Sequence, residues 1–212
     1  MKIDIWSDVA CPFCFIGKRN LEAALAQFPH RDEVEVTWHN FELDPTAQTD
    51  YKENQFELLA KKYGMSIEQA RENTARVAQS GEAAGIRFDF EKVIPTNTFN
   101  AHRLIQLAKQ HGLQDAAEEK LFKAMFEEGQ HIGRNETLQA IAAAIGLDAA
   151  ATADMLNSDA YTKEVRADEA EAQSLGIRGV PFFVLDRKYA ISGAQPVDVF
   201  TQTLQKVQEE AV

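Results

Sequence analysis

Alternating and helical hydrophobic patterns divide the chain into two strand-rich ends and a long helical middle. Residues 2–6 (KIDIW) alternate polar and apolar side chains, which predicts a first β-strand. From Cys11 the pattern becomes helical, because Leu21 and Phe28 fall on one helix face. Residues 34–43 (VEVTWHNFEL) predict a second strand. The chain therefore opens β-α-β, with Cys11 where the first strand gives way to the helix.

Helical signals then continue almost without interruption over residues 52–157. Ser66 followed by Gln69 is the capping-box pattern of a helix N-terminus. Asn135 is predicted to cap a later helix. Several apolar stretches stop at glycines, which commonly terminate helices: Gly112, Gly129 and Gly146.

Strand patterns return in the last part of the chain. A helix predicted over residues 159–175 precedes residues 179–186 (GVPFFVLD), which predict a strand. Residues 189–193 (YAISG) are predicted to pair with that strand as a hairpin. Pro196 stands at the first position of a last predicted helix, which reaches residue 212.

Neither strand-rich end is long enough to form a complete domain. We therefore expect one sheet built from both ends, in the order β-α-β and β-β-α, which makes the fold class α/β. The predicted sheet domain comprises residues 1–48 and 159–212. The predicted all-helical insertion comprises residues 49–158.

Charge and composition narrow the classes of function. The net charge of −11 and the pI of about 4.9 argue against nucleic-acid and anionic-membrane partners, which both need basic surfaces. No apolar run approaches the length of a membrane span. The N-terminus has neither a long apolar region nor a small-residue cleavage site, so we expect a cytoplasmic protein.

The two cysteines carry the candidate chemistry. Cys11 and Cys14 form a C-P-F-C motif, and they are too few for a disulfide scaffold. None of the five histidines forms the spaced pair that would complete a zinc site, so no metal is predicted. The open choices are a redox pair and two inert buried cysteines.

The predicted position favours a redox pair. The N-terminus of a helix has unpaired N–H groups and a positive dipole end, and both favour a thiolate at Cys11. Cys14 lies one turn later, within reach of Cys11. Cys11 would act as the nucleophile in thiol–disulfide exchange, and Cys14 would resolve the mixed disulfide.

Four segments together resemble the DsbA-like thioredoxin-fold superfamily, and within it the FrnE-type cytoplasmic dithiol oxidoreductases. These segments are SDVACPFCFIGK at 7–18, NTFNAHRLIQLA at 97–108, GIRGVPFFV at 176–184 and ISGAQP at 191–196. The resemblance spans essentially the whole chain, including the helical insertion. It implies a thioredoxin-like fold and exchange of disulfides with protein or small-molecule substrates.

The resemblance also implies a site around the cysteines. It implies that the Val180–Pro181 peptide bond is cis and faces them, which leaves the backbone of Val180 free to pair with an extended substrate. The candidate substrate-binding residues are Pro12, Phe13, Val180, Pro181, Phe182 and Gln195. Candidate auxiliary residues are Asn97, which also suits a helix N-cap, and His102, which could shuttle a proton.

The chain departs from DsbA at a residue between the two cysteines, and this difference affects the expected reduction potential. DsbA has a histidine between its cysteines that stabilises the thiolate, and this chain has Phe13 there. We therefore expect a couple less oxidising than that of DsbA. The exchange itself requires no cofactor, and glutathione is a candidate recycling thiol. Exposed insertion helices would be compatible with a homodimer.

Two other functions remain open. The kappa-class glutathione transferases and 2-hydroxychromene-2-carboxylate isomerases look similar around the first motif. They typically have Ser where this chain has Cys11, and a Ser-Asp pair where it has Ala194–Gln195. A redox-sensitive chaperone or interaction protein is the other alternative.

Overall fold

A mixed four-stranded sheet is the framework of the protein, as described by a computed structural model over residues 1–210. Its strands are β1 Lys2–Ser7, β2 Glu35–Asn40, β3 Phe182–Leu185 and β4 Tyr189–Ser192. The order across the sheet is β2-β1-β3-β4. β1 runs parallel to β2 and antiparallel to β3, and β3 and β4 form an antiparallel hairpin. One sheet therefore joins both ends of the chain, as the sequence predicts.

Helices occupy most of the remaining chain. They are α1 Pro12–Ala26, α2 Gln55–Tyr63, α3 Ile67–Ala83, α4 Phe99–Gln110, α5 Gln114–Phe126, α6 Asn135–Ala144, α7 Ala149–Leu156, α8 Thr162–Ser174 and α9 Val197–Glu210, with a 3₁₀ turn at Arg31–Glu33. Within residues 1–210, no helix is long and apolar enough to cross a membrane.

The chain divides into two compact units. One comprises residues 1–43 with the residues from 163 onward, and the other comprises residues 44–162. The second unit contains helices α2 to α7. Its core includes Leu104, Phe122, Phe126 and Ile141, all essentially inaccessible to solvent. This unit is the helical insertion of an α/β fold, and its bounds are wider than the predicted residues 49–158.

The two faces of the sheet bury different side chains, because neighbouring strand residues point to opposite sides. Ile5 and Phe183 lie on one face in the larger core cluster, which also contains residues of α1 and α9. Trp6 lies on the other face with Ala172 of α8 and Ile177. Helices therefore cover both faces.

Gly17 permits a close approach between α1 and the start of β3. A Cβ atom at this position would lie 3.0 Å from both the Pro181 Cγ and the Phe183 Cζ atoms. Such a distance is shorter than ordinary van der Waals contact between carbon atoms. The absence of a side chain at Gly17 therefore lets the cysteine-bearing helix pack directly on the segment that contains Pro181.

Several predicted bounds differ from the structure. β2 ends at Asn40, because the backbone N–H of Leu43 turns to donate to the Asp8 carboxylate at 2.8 Å. β3 begins only at Phe182, so residues 179–181 lie outside the sheet. The helix predicted to be capped by Asn135 instead begins there, with Arg134 at the N-cap. The capping box at Ser66 is confirmed, and the predicted helix residues 211 and 212 lie outside the described residues.

Candidate functional site

Cys11 stands where the chain enters α1. Its backbone is extended, with φ −100° and ψ 110°, and Pro12 is the first helical residue. The Cys11 N–H donates to the carbonyl of Asp8 at 2.9 Å, so a tight turn brings the helix start back to the end of β1. The Cys11 side chain caps no N–H group of the helix. The sulfur of Cys11 is therefore not engaged in capping the helix.

Cys14 lies one turn further along α1 and is more deeply buried. Its side chain is 0% exposed, whereas Cys11 keeps 5% of its surface, and the two cysteines are not bonded to each other. Burial raises the pKa of the Cys14 thiol well above its ordinary value, and the hydrogen bond and charge of Cys11 add to this effect. The backbone of Asp8 and the hydroxyl of Ser7 act in the opposite direction. The two thiols therefore sit in unlike environments.

The segment before β3 lies against this cysteine pair. The Cys11 Sγ donates to the carbonyl oxygen of Val180 at 3.6 Å. The Val180–Pro181 peptide bond is cis, the isomer that the resemblance implies. The Pro181 carbonyl accepts the N–H of Gly193 at 2.9 Å, which ties this segment to the end of β4. The resemblance-based placement of Val180 beside Cys11 thus agrees with the geometry.

An open cavity of about 400 Å³ adjoins the same segment. It is formed by the loop before β3 and by the end of β4, and Arg178 supplies a cationic group. Its lining residues are Gly176, Arg178, Gly179, Val180, Pro181, Phe182, Ser192 and Gly193. A molecule in this cavity would lie next to the Val180 carbonyl that contacts Cys11.

The other candidate substrate-binding residues differ in their exposure. Phe13 is 46% exposed, so its ring faces solvent beside the cysteines. Phe182 is half-buried and packs on the cluster that contains Trp6. Gln195 is exposed, and its side-chain amide donates to the Ser192 carbonyl at 2.9 Å. Of these three side chains, Phe13 presents the largest apolar surface.

The two auxiliary candidates belong to the helical unit. The Asn97 side chain accepts the N–H of Phe99 at 2.9 Å and donates to the Ala47 carbonyl at 3.2 Å. It lies just before Thr98, the N-cap of α4, so a cap-like role is observed one residue early. His102 is fully buried within α4. Its predicted role in proton transfer stays a prediction.

Sequence reasoning missed Ser7 and Arg178. Ser7 is fully buried at the end of β1, and Arg178 lines the cavity beside Val180. Ser7 directly precedes the turn to the C-P-F-C motif, so its place in the motif SDVACPFC was the available signal. Arg178 stands two residues before Val180, and this position in the sequence could have marked it as a residue near the site.

A separate polar cluster lies on the α8 side of the sheet. His39 Nδ1 lies 2.9 Å from Asp168 Oδ1, and His39 Nε2 lies 2.9 Å from Asp4 Oδ1. Arg187 pairs with Asp4 at 3.2 Å and with Glu171 at 2.7 Å. Ligand atoms of His39, Asp168 and Glu171 lie within 4.8 Å of one another, a spacing that a metal ion could use. The hydrogen bonds and ion pairs already present make the cluster an ionic network between β1, β2 and α8.

A family model and a solved structure place the chain in the same protein family. Residues 2–205 match the family described as DSBA-like thioredoxin domain. A crystal structure of a probable DsbA oxidoreductase from Streptomyces coelicolor superposes with a TM-score of 0.95 and 43% identity, over 99% of this chain and 91% of that chain. The match therefore includes both compact units.

Two more distant structures share the fold alone. A 2-hydroxychromene-2-carboxylate isomerase has a TM-score of 0.74 and 16% identity, over 100% of this chain and 98% of its own. The cytosolic disulfide reductase DsbM from Pseudomonas aeruginosa has a TM-score of 0.67 and 18% identity, over 99% of each chain. A second structure of DsbM contains GSH.

Proposed function

Because the chain belongs to the DsbA-like thioredoxin domain family, we propose that it is a thiol–disulfide oxidoreductase whose working dithiol is Cys11 and Cys14. The observation that supports this proposal is the difference in exposure and contacts between the two sulfurs. Cys11 retains an exposed edge at the start of α1 and contacts Val180, whereas Cys14 is fully buried one turn later. An exchange reaction needs this asymmetry, since one sulfur must meet the substrate and the other must meet only its partner.

The proposed reaction proceeds in two displacements. The Cys11 thiolate attacks one sulfur of a substrate disulfide, which forms a mixed disulfide and releases the first substrate thiolate. Cys14, after losing its proton, attacks Cys11, so the Cys11–Cys14 bond forms and the second substrate thiolate leaves. Two electrons pass from the enzyme dithiol to the substrate, and the same steps in reverse oxidise a substrate dithiol.

The residues around Cys11 suit recognition of a thiol or disulfide substrate. Val180, Pro181 and Phe182 border the cavity of about 400 Å³, so they would contact the chain or small molecule attached to the substrate sulfur. Phe13 and Pro12 would supply apolar contact on the helix side, because Phe13 is largely exposed. Gln195 would lie at the outer edge, beyond Ser192.

The exchange is proposed to be reductive and to take place in the cytoplasm, and the chain is proposed to be of the FrnE type. Phe13 supplies no charge to favour a thiolate, so the couple should be less oxidising than that of DsbA. DsbM, a cytosolic disulfide reductase of the same fold, supports this choice. Its structure with GSH supports glutathione as the recycling thiol, and no resident cofactor is proposed.

The test is the equilibrium between the dithiol and disulfide forms in glutathione redox buffers, read by trapping free thiols with an alkylating agent. We expect a single two-electron transition between the potentials of thioredoxin (about −270 mV) and DsbA (about −120 mV). Cys14→Ser is the control, because it keeps Cys11 and cannot form the internal bond. Failure of the wild-type protein to form this disulfide in any buffer would overturn the proposal and favour glutathione-dependent chemistry.

A further inference from the structure

The hydroxyl oxygen of Ser7 is buried, and no group in residues 1–210 forms a hydrogen bond of ordinary distance and angle with it. Buried polar groups are nearly always paired, because an unpaired one loses its bonds to water without replacement. Ser7 ends β1 and directly precedes the turn in which the Asp8 carbonyl accepts the Cys11 N–H. An unpaired hydroxyl at this position therefore needs an explanation.

The neighbouring Cys14 sulfur supplies one. The backbone of Asp8 and the Ser7 hydroxyl both interact with the Cys14 sulfur, and both lower the pKa of its thiol. Cys11 is the titratable group that acts on Cys14 in the opposite direction. The Asp8 carboxylate is directed elsewhere, since its oxygens accept the N–H groups of Ala10 and Leu43. The buried Ser7 hydroxyl thus interacts with the one sulfur that must become charged while fully buried.

We propose that Ser7 is a positioning residue for the resolving step, donating its hydroxyl hydrogen bond to the Cys14 sulfur as that sulfur becomes a thiolate. The inference rests on the proposed dithiol exchange. In the resting dithiol the Cys14 thiol keeps its proton, and the Ser7 hydroxyl has no acceptor at ordinary hydrogen-bond geometry. When Cys14 loses that proton, the charged sulfur becomes a strong acceptor in a fully buried site.

Cys14 gives its proton to solvent, and its thiolate attacks the Cys11 sulfur of the mixed disulfide. The Cys11–Cys14 bond forms while the bond between Cys11 and the substrate sulfur breaks. The substrate leaves as a thiolate with the electron pair of that bond. Ser7 keeps its own proton throughout, so it acts only on the charge of Cys14.

The test separates the two displacements with 5,5′-dithiobis(2-nitrobenzoate), a chromogenic disulfide. Attack by Cys11 releases one coloured thiolate, and resolution by Cys14 releases the second. We expect Ser7→Ala to leave the first release unchanged and to slow the second roughly tenfold, the effect of losing one hydrogen bond to a charged group. Its rate should also reach half-maximum at a higher pH than in the wild type.

Ser7→Thr retains a hydroxyl and should restore the second release and its pH profile, which a merely structural role would not require. Ser7→Ala removes only an unpaired hydroxyl, so we expect no loss of thermal stability in the dithiol form. Ser7→Gly repeats the test should the alanine variant not fold. Cys14→Ser should give a single release.

The outcomes distinguish this inference from the proposed function. A second release at the wild-type rate and pH profile in Ser7→Ala would overturn the role of Ser7 and leave the exchange reaction intact. A single release in the wild-type protein would overturn both, because Cys14 would then not resolve the mixed disulfide.

Discussion

The sulfur of Cys11 donates to the backbone carbonyl of Val180, with 3.6 Å between the two atoms. This contact joins the start of α1 to the loop before β3 across 169 positions of sequence. Val180 also lines the cavity, so under the proposed function a substrate bonded to Cys11 would lie beside Val180. The contact would then define the side from which such a substrate approaches the dithiol.

The two cysteines should react at very different rates. In the reduced native protein we expect iodoacetamide to alkylate Cys11 at least roughly tenfold faster than Cys14, because thiolate character and access govern the rate. Burial and the raised pKa both protect Cys14. Mass spectrometry of timed samples would measure this, and urea-unfolded protein is the control. Equal rates in the native protein would contradict the assignment of Cys11 as nucleophile.

The single-cysteine variants should fail at different steps. Cys14→Ser should accumulate a mixed disulfide at Cys11 when mixed with glutathione disulfide, because no second thiol displaces the adduct. Cys11→Ser should form little adduct, since its remaining thiol is fully buried. Intact-mass measurement detects the added glutathione. An adduct on Cys11→Ser as large as that on Cys14→Ser would reverse the proposed roles.

Gly17→Ala should destabilise the fold, because the two side chains that an added Cβ would meet, Pro181 and Phe183, are themselves buried. Gly17→Ala places a Cβ atom 3.0 Å from Pro181 and Phe183, and overpacking of this kind costs about 1–3 kcal/mol. The displacement should also slow disulfide exchange, because Pro181 follows Val180 at the site. Gly179→Ala is a matched control in the same loop, with no atom within 4 Å of the added Cβ. Urea unfolding would measure stability, and similar losses in both variants would contradict the prediction.

Phe13 should control the redox poise more than the stability. Phe13→His places a titratable cation beside Cys11, which favours the thiolate and makes the couple more oxidising, with a tenfold change in equilibrium for every ~30 mV. Because Phe13 is 46% exposed, the free energy of unfolding should change by only about 0.5 kcal/mol. Phe13→Gln is the uncharged control. A glutathione titration showing equal potentials for both variants would refute a charge effect.

The ionic network around His39 should make stability depend on pH. Burial lowers the pKa of His39, but the hydrogen bonds and charges of Asp168 and Asp4 outweigh it, so its pKa is raised. The folded protein thus holds a proton that the unfolded chain loses near pH 6.5. Its stabilising effect should be full below that pH and vanish as the pH rises through the higher folded pKa. Arg187 also faces this network, and its hydrogen bond to Glu171 raises its pKa, so Arg187 stays charged throughout.

Urea unfolding of the wild type and of His39→Gln across pH 5.5–9 would measure this effect. The variant should be less stable by about 3–5 kcal/mol at the acid end, since it removes the cation paired with the buried Asp168. The difference between the two proteins should shrink as the pH rises. Arg187→Gln is the control, because it removes a permanent charge from the same network without adding a titration in this range. A constant difference across the range would show that His39 does not titrate there.

The sequence determined the local elements and the family. Helix and strand periodicities depend on neighbouring residues, so the order of elements, the capping box at Ser66 and the place of Cys11 before a helix were all predictable. The motifs around Cys11 and Val180 carried the resemblance. Errors were confined to element ends, such as Asn40 and Phe182, where long-range contacts decide which residues join the sheet.

Only the tertiary structure decided how distant residues meet. The burial difference between Cys11 and Cys14, the unpaired hydroxyl of Ser7 and the bond between His39 and Asp168 arise from packing between separate segments. Periodicity reports which face of an element is apolar, but not which remote group lies against it. The charge and burial of a sulfur depend on those remote groups. The sequence therefore identified the two candidate thiols, whereas the difference between their environments could be seen only in the folded structure.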